Sequence, residues 1–287
     1  MSAREPIDLL HCDVPRAIGV YLLRTDDGLA LVDCGPASTV HTLERELRGR
    51  GLSVGDLRHL LLTHIHLDHA GAAGVLVRRN PELRVHVSEI GAPHLSDPSR
   101  LERSARRIYG ELFDHVWGEL APLPGENVDV LGDEVIGLAC FPAPGHASHQ
   151  VCLLDDDGTL YPGDATGVRI LPGTHVVPYA PPPDIDIETW HGTIDEIERR
   201  APARIALPHF GVADDVERHL AELRERLDLW TERVGTGMGQ DDFVAAGRAD
   251  LAADGEGGVA YYDFASPFAP SFDGLARYWS KRRDTVA

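Results

Sequence analysis

The sequence predicts a layered α/β fold with a helical C-terminal extension, and three observations support this prediction. Two apolar runs, at residues 19–24 and 29–33, flank an Asp27-Gly28 turn, which is typical of a β-hairpin. Strand-like and helix-like apolar patterns then alternate as far as residue 207. Beyond Gly211 the pattern becomes mostly helical.

The first half contains the elements of a βαβ arrangement. After the hairpin, residues 40–47 carry apolar side chains at helical spacing, and residues 59–62 form a short buried strand. Small residues at 70–79 predict a helix that ends before Pro81, and residues 83–87 alternate as a strand.

The second half repeats the same kinds of element. Residues 97–118 predict one long helix, and strands at 128–141, 150–154 and 159–161 form a second β-rich run. An amphipathic helix at residues 187–197 then precedes a strand at Arg204–Leu207. Two similar α/β halves are therefore expected.

The segment after residue 212 predicts a separate unit. We divide the chain into an α/β domain, residues 1–212, and a mostly helical appendage, residues 213–287. The first helix of the appendage has a narrow apolar seam. This seam either packs onto the α/β domain or forms the contact of a homodimer. The seam residues are Val216, Leu220, Leu223, Leu227, Trp230 and Val234.

The charge balance argues against several functions. The chain has 27 Lys and Arg residues against 46 Asp and Glu residues, a net charge of −19, which disfavours a nucleic-acid partner. Lys281 is the only lysine, and it lies near the end of the sequence beside Arg282. Walker A loops and Schiff-base enzymes both need a lysine in the site, so neither chemistry is expected.

Cysteine usage and hydropathy indicate a reducing, aqueous compartment. The four cysteines form no C-x-x-C pair, and acidic residues interrupt the apolar runs near residue 1. No window approaches the roughly 18 apolar residues of a membrane span. We therefore expect a cytoplasmic protein that acts on a small molecule and has no membrane partner.

The segment from Thr63 to His69 carries the strongest chemical signal. It supplies three imidazoles and a carboxylate, which suit a divalent metal such as zinc. Alternate residues of an extended segment point the same way, so His64 and His66 can bind one ion. Asp68 and His69 are displaced as the chain turns into a helix, so they face a second ion more naturally.

Three further ligand-type residues follow predicted strands. His146, Asp164 and His209 each lie in a short loop next to Gly or Pro, which presents a single side chain. A lone His or Asp in a turn is usually structural. Because the histidine cluster already indicates a metal site, we expect these three residues to be the additional ligands of a dinuclear site.

Residues 15–212 resemble the metallo-β-lactamase superfamily. The H-x-H-x-D-H motif of that family is matched in full by His64, His66, Asp68 and His69, and its later ligands are matched by His146, Asp164 and His209. The resemblance implies a four-layer αβ/βα sandwich that binds two divalent ions. Zinc is expected, with iron or manganese as alternatives. The implied first metal site is His64, His66 and His146, the second is Asp68, His69 and His209, and Asp164 bridges both.

The same resemblance implies a reaction and a supporting residue. Two bridged cations lower the pKa of a shared water, and the resulting hydroxide attacks the substrate. Asp68 is expected to take part in proton transfer to the leaving group as a catalytic residue. Asp33 resembles the family's first-hairpin aspartate, which supports a metal ligand, although simple turn formation is the alternative.

Several functions remain open at this point. We expect a dinuclear metal-dependent hydrolase of a small ester, thioester or lactone-like substrate. A metal-dependent phosphodiesterase or ribonuclease is the main alternative, and the net charge disfavours it. A mononuclear iron dioxygenase would use only His64, His146 and Asp164, and a non-enzymatic module would keep the metal for structure. The spacing of His146 and His149 departs from the Gly-His-Thr-x-Gly-His run of thioesterase-like and dioxygenase-like relatives, which argues against a glyoxalase-type assignment.

The sequence identifies no substrate contacts. The loop at residues 166–183 is rich in Gly and Pro and lies near Asp164, so it is a candidate wall of the pocket. His149 either lines the pocket or is structural. A row of arginines is either a solvated helix face or an attractor for an anionic substrate group. These are Arg100, Arg103, Arg106 and Arg107.

Overall fold

Two six-stranded mixed sheets form the centre of the molecule, and the computed structural model describes them within residues 5–253 and 259–286. In both sheets, strands that are consecutive in the chain are neighbours. The first sheet contains β1 (Ile7–Asp8), β2 (Gly19–Thr25), β3 (Gly28–Val32), β4 (Leu57–Leu61), β5 (Arg84–Val87) and β6 (Val128–Val130). The second contains β7 (Glu134–Val135), β8 (Leu138–Pro142), β9 (Val151–Leu154), β10 (Thr159–Tyr161), β11 (Arg204–Leu207) and β12 (Gly211–Ala213).

Helices cover the outer face of each sheet. Those of the first half are α1 (Val40–Gly49), α2 (Leu67–Ala70), α3 (Ala73–Arg79), α4 (Ala92–Ser96), α5 (Ser99–Tyr109) and α6 (Phe113–Val116). The remainder are α7 (Ile187–Arg200), α8 (Val216–Gly235), α9 (Gln240–Ala253), α10 (Val259–Ala265) and α11 (Phe268–Val286). Helix, sheet, sheet and helix therefore make the expected four layers, with a helical C-terminal segment.

The strand patterns explain how the layers pack. Alternate residues of the first sheet, such as Val32 and Leu61, meet residues of the second sheet, such as Cys140 and Leu153, in a core between the sheets. The predicted hairpin is present, with Thr25 paired to Gly28 across its turn. Strands β3, β4, β5 and β6 are parallel to one another, so their carboxyl ends lie at one edge.

Two predicted elements are wrong in detail. The single helix expected over residues 97–118 begins only at Ser99, after Pro98, and is broken at Gly110, whose positive φ of 54° ends α5. The run at residues 128–141 contains three strands rather than one. The first of these, β6, pairs in parallel with β5 and belongs to the first sheet.

The apolar seam of α8 is buried inside the chain. Leu223 and Trp230 are fully buried in the cluster that also contains Ile194 of α7 and Phe243 of α9. The prediction that the seam packs onto the rest of the chain is confirmed, while a homodimer stays a prediction. The division at residue 212 stays a prediction; strand β12 crosses it.

No helix in the described ranges combines the length and apolarity that a membrane span requires.

Candidate metal centre

The seven predicted ligands meet at one edge of the two sheets. His64 and His66 follow β4, while Asp68 and His69 lie in α2. The remaining three come from the second sheet: His146 follows β8, Asp164 lies in a 3₁₀ turn after β10, and His209 lies between β11 and β12. The strand ends of both sheets thus supply one site, as the sequence predicts.

Three imidazoles form the first cluster, because their ring nitrogens point at a common position. The Nδ1 atom of His66 lies 3.1 Å from Nε2 of His64 and 3.0 Å from Nε2 of His146. Two nitrogens that share one zinc ion at about 2.1 Å would lie roughly 3.3 Å apart. His64, His66 and His146 therefore have the arrangement of three ligands of one ion.

The second cluster contains two imidazoles and two carboxylates. Nε2 of His69 and Nε2 of His209 lie 3.5 and 3.6 Å from Oδ2 of Asp68. The four ligand atoms of Asp68, His69, Asp164 and His209 all lie within 4.8 Å of one another. The ligand atoms of Asp68 and His69 thus belong to the second cluster, as the turn into α2 predicts, although the His69 ring lies 4.0 Å from that of His64.

Asp164 lies between the clusters. Its Oδ1 is 3.4 Å from Nε2 of His69 and 3.5 Å from Nε2 of His209, whereas its Oδ2 is 3.6 Å from Nε2 of His146. Each carboxylate oxygen thus faces a different cluster. This is the geometry expected of a carboxylate that bridges two cations.

The outer nitrogens of these histidines fix the direction of the inner ones. Nδ1 of His69 donates to Asp33, Nδ1 of His146 donates to the carbonyl oxygen of Tyr179, and Nδ1 of His209 donates to that of Ala17. In the neutral form of each ring the single proton lies on Nδ1, so Nε2 presents a lone pair to the site.

Asp33 connects the two clusters. Its Oδ2 accepts hydrogen bonds from His69 Nδ1 at 2.9 Å and from the Thr63 hydroxyl at 2.9 Å, and its Oδ1 accepts from the Thr63 backbone N–H. The Thr63 hydroxyl in turn accepts from Nδ1 of His64 at 3.1 Å. Asp33 has a left-handed φ of 57°, a conformation that aspartate tolerates better than most residues. The expected supporting role therefore has a direct structural basis.

The pKa shifts show which groups of the site are already in the form that binds a cation. Burial lowers the pKa of His64 and His66, and the neighbouring imidazoles lower each pKa further, so both rings are neutral. Burial raises the pKa of Asp164, but the charges of His69 and His209 outweigh it and lower the pKa. Burial lowers the pKa of His69 and His209, but the charges of Asp68 and Asp164 outweigh it and raise the pKa of both rings, so each must release a proton when a metal binds. Neutral imidazoles and ionised carboxylates are the forms that bind metals.

Unsatisfied atoms show that the residues present fit a divalent metal. Nε2 of His69, Nε2 of His209 and both carboxylate oxygens of Asp164 are buried and have no hydrogen-bond partner. Buried polar groups without partners are costly, and these four atoms point into the site. A divalent cation would satisfy them.

Two glycines position the ligand loops. Gly145 has a φ of 132°, and an added Cβ would lie 2.4 Å from the backbone Cα of Trp190. Gly163 has a φ of 54°, and its Cβ would lie 2.6 Å from the Thr63 hydroxyl. Both glycines immediately precede a ligand, so larger residues there would displace His146 and Asp164.

Several supporting groups have no signal in the sequence. The carbonyl oxygens of Ala17 and Tyr179 are backbone atoms of ordinary residues, so composition and spacing cannot indicate them. The ring of His11 lies close enough to Asp68 for that carboxylate to affect its pKa, although burial dominates and lowers the pKa. The supporting role of Thr63 has a signal in the sequence, because this hydroxyl residue directly precedes His64 of the motif.

The structure also locates the residues that the sequence offered as possible pocket or substrate contacts. His149 is buried, and its Nδ1 accepts a hydrogen bond from the backbone of Ile65, which agrees with a structural role. The four arginines of α5 are exposed; Arg106 pairs with Glu102 and Asp114 at 2.8 and 2.7 Å. Tyr179, from the loop predicted to wall the pocket, packs its ring 6.2 Å from that of His146.

Known proteins share this architecture. ST1585, a metallo-beta-lactamase fold-containing protein of Sulfurisphaera tokodaii, is 23% identical over 229 residues, which cover 76% of this chain and 82% of ST1585. Its crystal structure matches with a TM-score of 0.59, covering 95% of this chain and 96% of that one. TTHA1429 of Thermus thermophilus, a metallo-beta-lactamase family protein, matches with 23% identity and a TM-score of 0.62, covering 94% and 89% of the two chains.

A third relative carries an activity in its name. Rv2300c of Mycobacterium tuberculosis, a "Probable metallo-hydrolase", is 29% identical over 212 residues, which cover 59% of this chain and 66% of that protein. The fold and the site together define the class of protein: a metal-dependent hydrolase. A sequence model of the metallo-beta-lactamase superfamily matches residues 14–209, and the chain belongs to that superfamily.

Proposed function

We propose that the chain is a dinuclear hydrolase, with zinc as the metal, that cleaves small esters, thioesters or lactones in the cytoplasm. One observation carries the dinuclear part of the proposal: the two oxygens of Asp164 face two separate ligand clusters. A mononuclear enzyme would not need the second cluster. Because the second cluster has a complete set of ligands, it supports a site for two ions.

The protein's own groups would hold the ions and orient the reactants. His64, His66 and His146 would hold one ion, and Asp68, His69 and His209 the other, with Asp164 shared. When bound, two cations supply Lewis acidity toward a carbonyl oxygen and toward water. The hydrogen bonds from the outer histidine nitrogens keep these ligands aimed before any substrate arrives.

Asp68 is the proposed proton carrier. Burial raises the pKa of its carboxyl group, but the charge of His69 and a hydrogen bond from it lower the pKa more strongly, so the carboxylate is ionised. Its side chain is 16% exposed, whereas that of Asp164 is 1% exposed. Asp68 can therefore take a proton from water and pass it to a leaving group on the accessible side of the site.

The charges around the site support an uncharged carbonyl substrate. The groups that act most strongly on Asp68 and Asp164 are histidines. Phosphodiester substrates are anions that basic side chains usually bind, and the chain as a whole has a charge of −19. These observations favour ester, thioester or lactone hydrolysis over the phosphodiesterase alternative.

Hydrolysis of a matched substrate panel tests the proposal. The metal-loaded protein should hydrolyse at least one small ester, thioester or lactone, should lose that activity with a chelator and should regain it with zinc. Asp68→Asn should weaken metal binding at the second cluster, where Asp68 is a proposed ligand, and should lower kcat by about 10²-fold or more even at saturating zinc. Asp27→Asn, in a remote carboxylate, should change neither. Chelator-insensitive hydrolysis, or turnover of bis(p-nitrophenyl) phosphate alone, would contradict the proposal.

A further inference from the structure

The loop at residues 166–183 connects the metal centre to the C-terminal extension, the helices after residue 212. On the side of the site, the carbonyl oxygen of Tyr179 accepts a hydrogen bond from Nδ1 of His146 at 2.8 Å. On the other side, the backbone N–H of Ala180 donates to Oγ of Ser271 in α11 at 3.1 Å. The loop therefore contacts a ligand of the first cluster and a side chain of the extension.

These two hydrogen bonds belong to a single peptide group. The C=O of Tyr179 and the N–H of Ala180 are parts of the planar unit that joins the two residues, and they point in opposite directions. A rotation of that unit therefore moves both groups together. In addition, a peptide N–H that donates a hydrogen bond polarises the group, so the C=O becomes a stronger acceptor. The oxygen of Ser271 is thus coupled to the ring of His146 through one rigid group.

Helix α11 packs directly on this part of the loop. A Cβ added to Gly274, one turn after Ser271, would lie 1.9 Å from the carbonyl oxygen of Ala180. The helix backbone therefore approaches the loop backbone more closely than any larger residue would allow. Ser271 and Ala180 are both fully buried. Without the serine hydroxyl, the N–H of Ala180 would have no water to replace it, and an unpaired buried N–H is costly.

The extension also holds the earlier part of the loop. The hydroxyl of Tyr262 in α10 accepts a hydrogen bond from the backbone N–H of Ile170 at 3.1 Å and donates one to the carbonyl oxygen of His175 at 2.9 Å. As with Ser271, a side chain of the extension binds backbone atoms of the loop. The course of the loop backbone beside the site therefore depends on the extension.

The carbonyl oxygen of Tyr179 selects the nitrogen of His146 that carries the proton. With the proton on Nδ1, the Nε2 atom presents a lone pair to the first cluster. The other tautomer would carry its proton on Nε2, which lies 3.6 Å from Oδ2 of Asp164, and that nitrogen could not bind a metal. A displaced Tyr179 carbonyl would therefore favour the wrong tautomer and misalign the ring.

We propose that Ser271 is a positioning residue of the metal centre. Through the peptide group of Tyr179 and Ala180, it holds His146 in the orientation and the tautomer that bind the first ion. The proposal rests on the function proposed above, because that function places an ion at the first cluster. It also gives the C-terminal extension a part in the site, although all seven ligands precede the extension in the chain.

The zinc affinities of the two clusters test the proposal. Ser271→Ala removes the acceptor of the Ala180 N–H and should weaken zinc binding at the first cluster about three- to tenfold, which is less than the loss of a direct partner of a ligand. Binding at the second cluster should change less than about twofold. Competition with a chromogenic chelator measures both affinities, and the visible spectrum of the cobalt-loaded protein identifies the cluster that is altered.

The tautomer of His146 gives a second readout that needs no metal. Nitrogen chemical shifts of the metal-free protein, labelled in its histidines, should show His146 protonated on Nδ1. Ser271→Ala should shift its population toward the Nε2 tautomer. A serine that only stabilised the fold would lower the free energy of unfolding without changing this population.

Ser266→Ala is the matched control. Ser266 is also fully buried in the C-terminal segment, but its hydroxyl donates to the carbonyl oxygen of Tyr262, four residues earlier. Ser266→Ala should leave both zinc affinities and the tautomer of His146 unchanged. Circular dichroism and urea unfolding establish that each variant is folded.

A pair of glycine variants tests the same contact from the helix backbone. Gly274→Ala should weaken zinc binding at the first cluster at least as much as Ser271→Ala, because its Cβ meets the loop. Gly192→Ala is its control, since a Cβ added in that helix meets nothing within 4 Å. It should leave zinc binding unchanged.

Three results would overturn the proposal: an unchanged first-cluster affinity or tautomer in Ser271→Ala, equal losses at both clusters, or an equal effect of Ser266→Ala. Failure of the unaltered protein to bind zinc at the first cluster would instead refute the proposed function. In that case the tautomer of His146 in the metal-free protein would still decide the role of Ser271.

Discussion

Replacing Asp33 with asparagine should weaken metal binding without removing a metal ligand. Both carboxylate oxygens of Asp33 face hydrogen-bond donors, which belong to Thr63 and His69. An asparagine amide must turn its NH₂ group toward one of these donors in either orientation. If it faces His69, the ring loses the acceptor that keeps its proton on Nδ1, and the Nε2 lone pair directed at the second cluster is no longer secured.

The magnitude follows from the contacts. Loss of a hydrogen-bond partner to a metal-ligating histidine typically lowers metal affinity 10- to 100-fold, about 1.4–2.7 kcal/mol. The direct 2.9 Å contact with His69 places the second site near the upper limit. The first site is reached only through Thr63 and His64, so it should change about tenfold or less.

Competition against a chromogenic zinc chelator measures both affinities. Asp27→Asn is the matched control, because Asp27 Oδ2 also contacts a histidine, Nε2 of His59 at 3.1 Å, outside the metal centre. It should leave both zinc affinities unchanged. Unchanged affinity of the second site in Asp33→Asn, or an equal loss in the Asp27→Asn control, would refute this reasoning.

Three further predictions concern folding and the site. Gly145→Ala should abolish activity and metal binding at the first cluster, measured by metal analysis, because its Cβ meets Trp190. Burial, with His59, lowers the pKa of His86 from 6.5 to about 4, so the metal-free protein should lose stability as pH falls from 6.5 toward 4. His86→Asn should reduce that loss in urea unfolding by about 2 kcal/mol, after allowance for partial exposure. Trp230→Ala should lower the free energy of unfolding by about 3–5 kcal/mol, measured in the same way, since Trp230 is fully buried in the α8 seam.

The candidate site was largely predictable because its ligands lie where parallel and neighbouring strands end. His64, His66, Asp68 and His69 are contiguous, so local geometry alone separates them into two groups. His146, Asp164 and His209 are far apart in the chain, but each follows a strand, and strand ends converge at one edge of the sheets. Asp33 was found through its resemblance to the first-hairpin aspartate.

The remaining features depend on tertiary contacts that the sequence pattern does not encode. The acceptors for His146 and His209 are backbone carbonyl oxygens, and any residue type provides one. The placement of β6 in the first sheet is decided by pairing with β5 rather than by its own residues. His11 contacts Phe264 across more than 250 positions of chain, a contact for which spacing gives no signal.

The central claim is that two ions share Asp164. Anomalous diffraction from zinc-loaded crystals tests it most directly. The account predicts two peaks per chain, roughly 3.5–4 Å apart, one among His64, His66 and His146 and the other beside His69 and His209, with one oxygen of Asp164 facing each. A single peak, or a second peak that does not contact Asp164, would contradict the account.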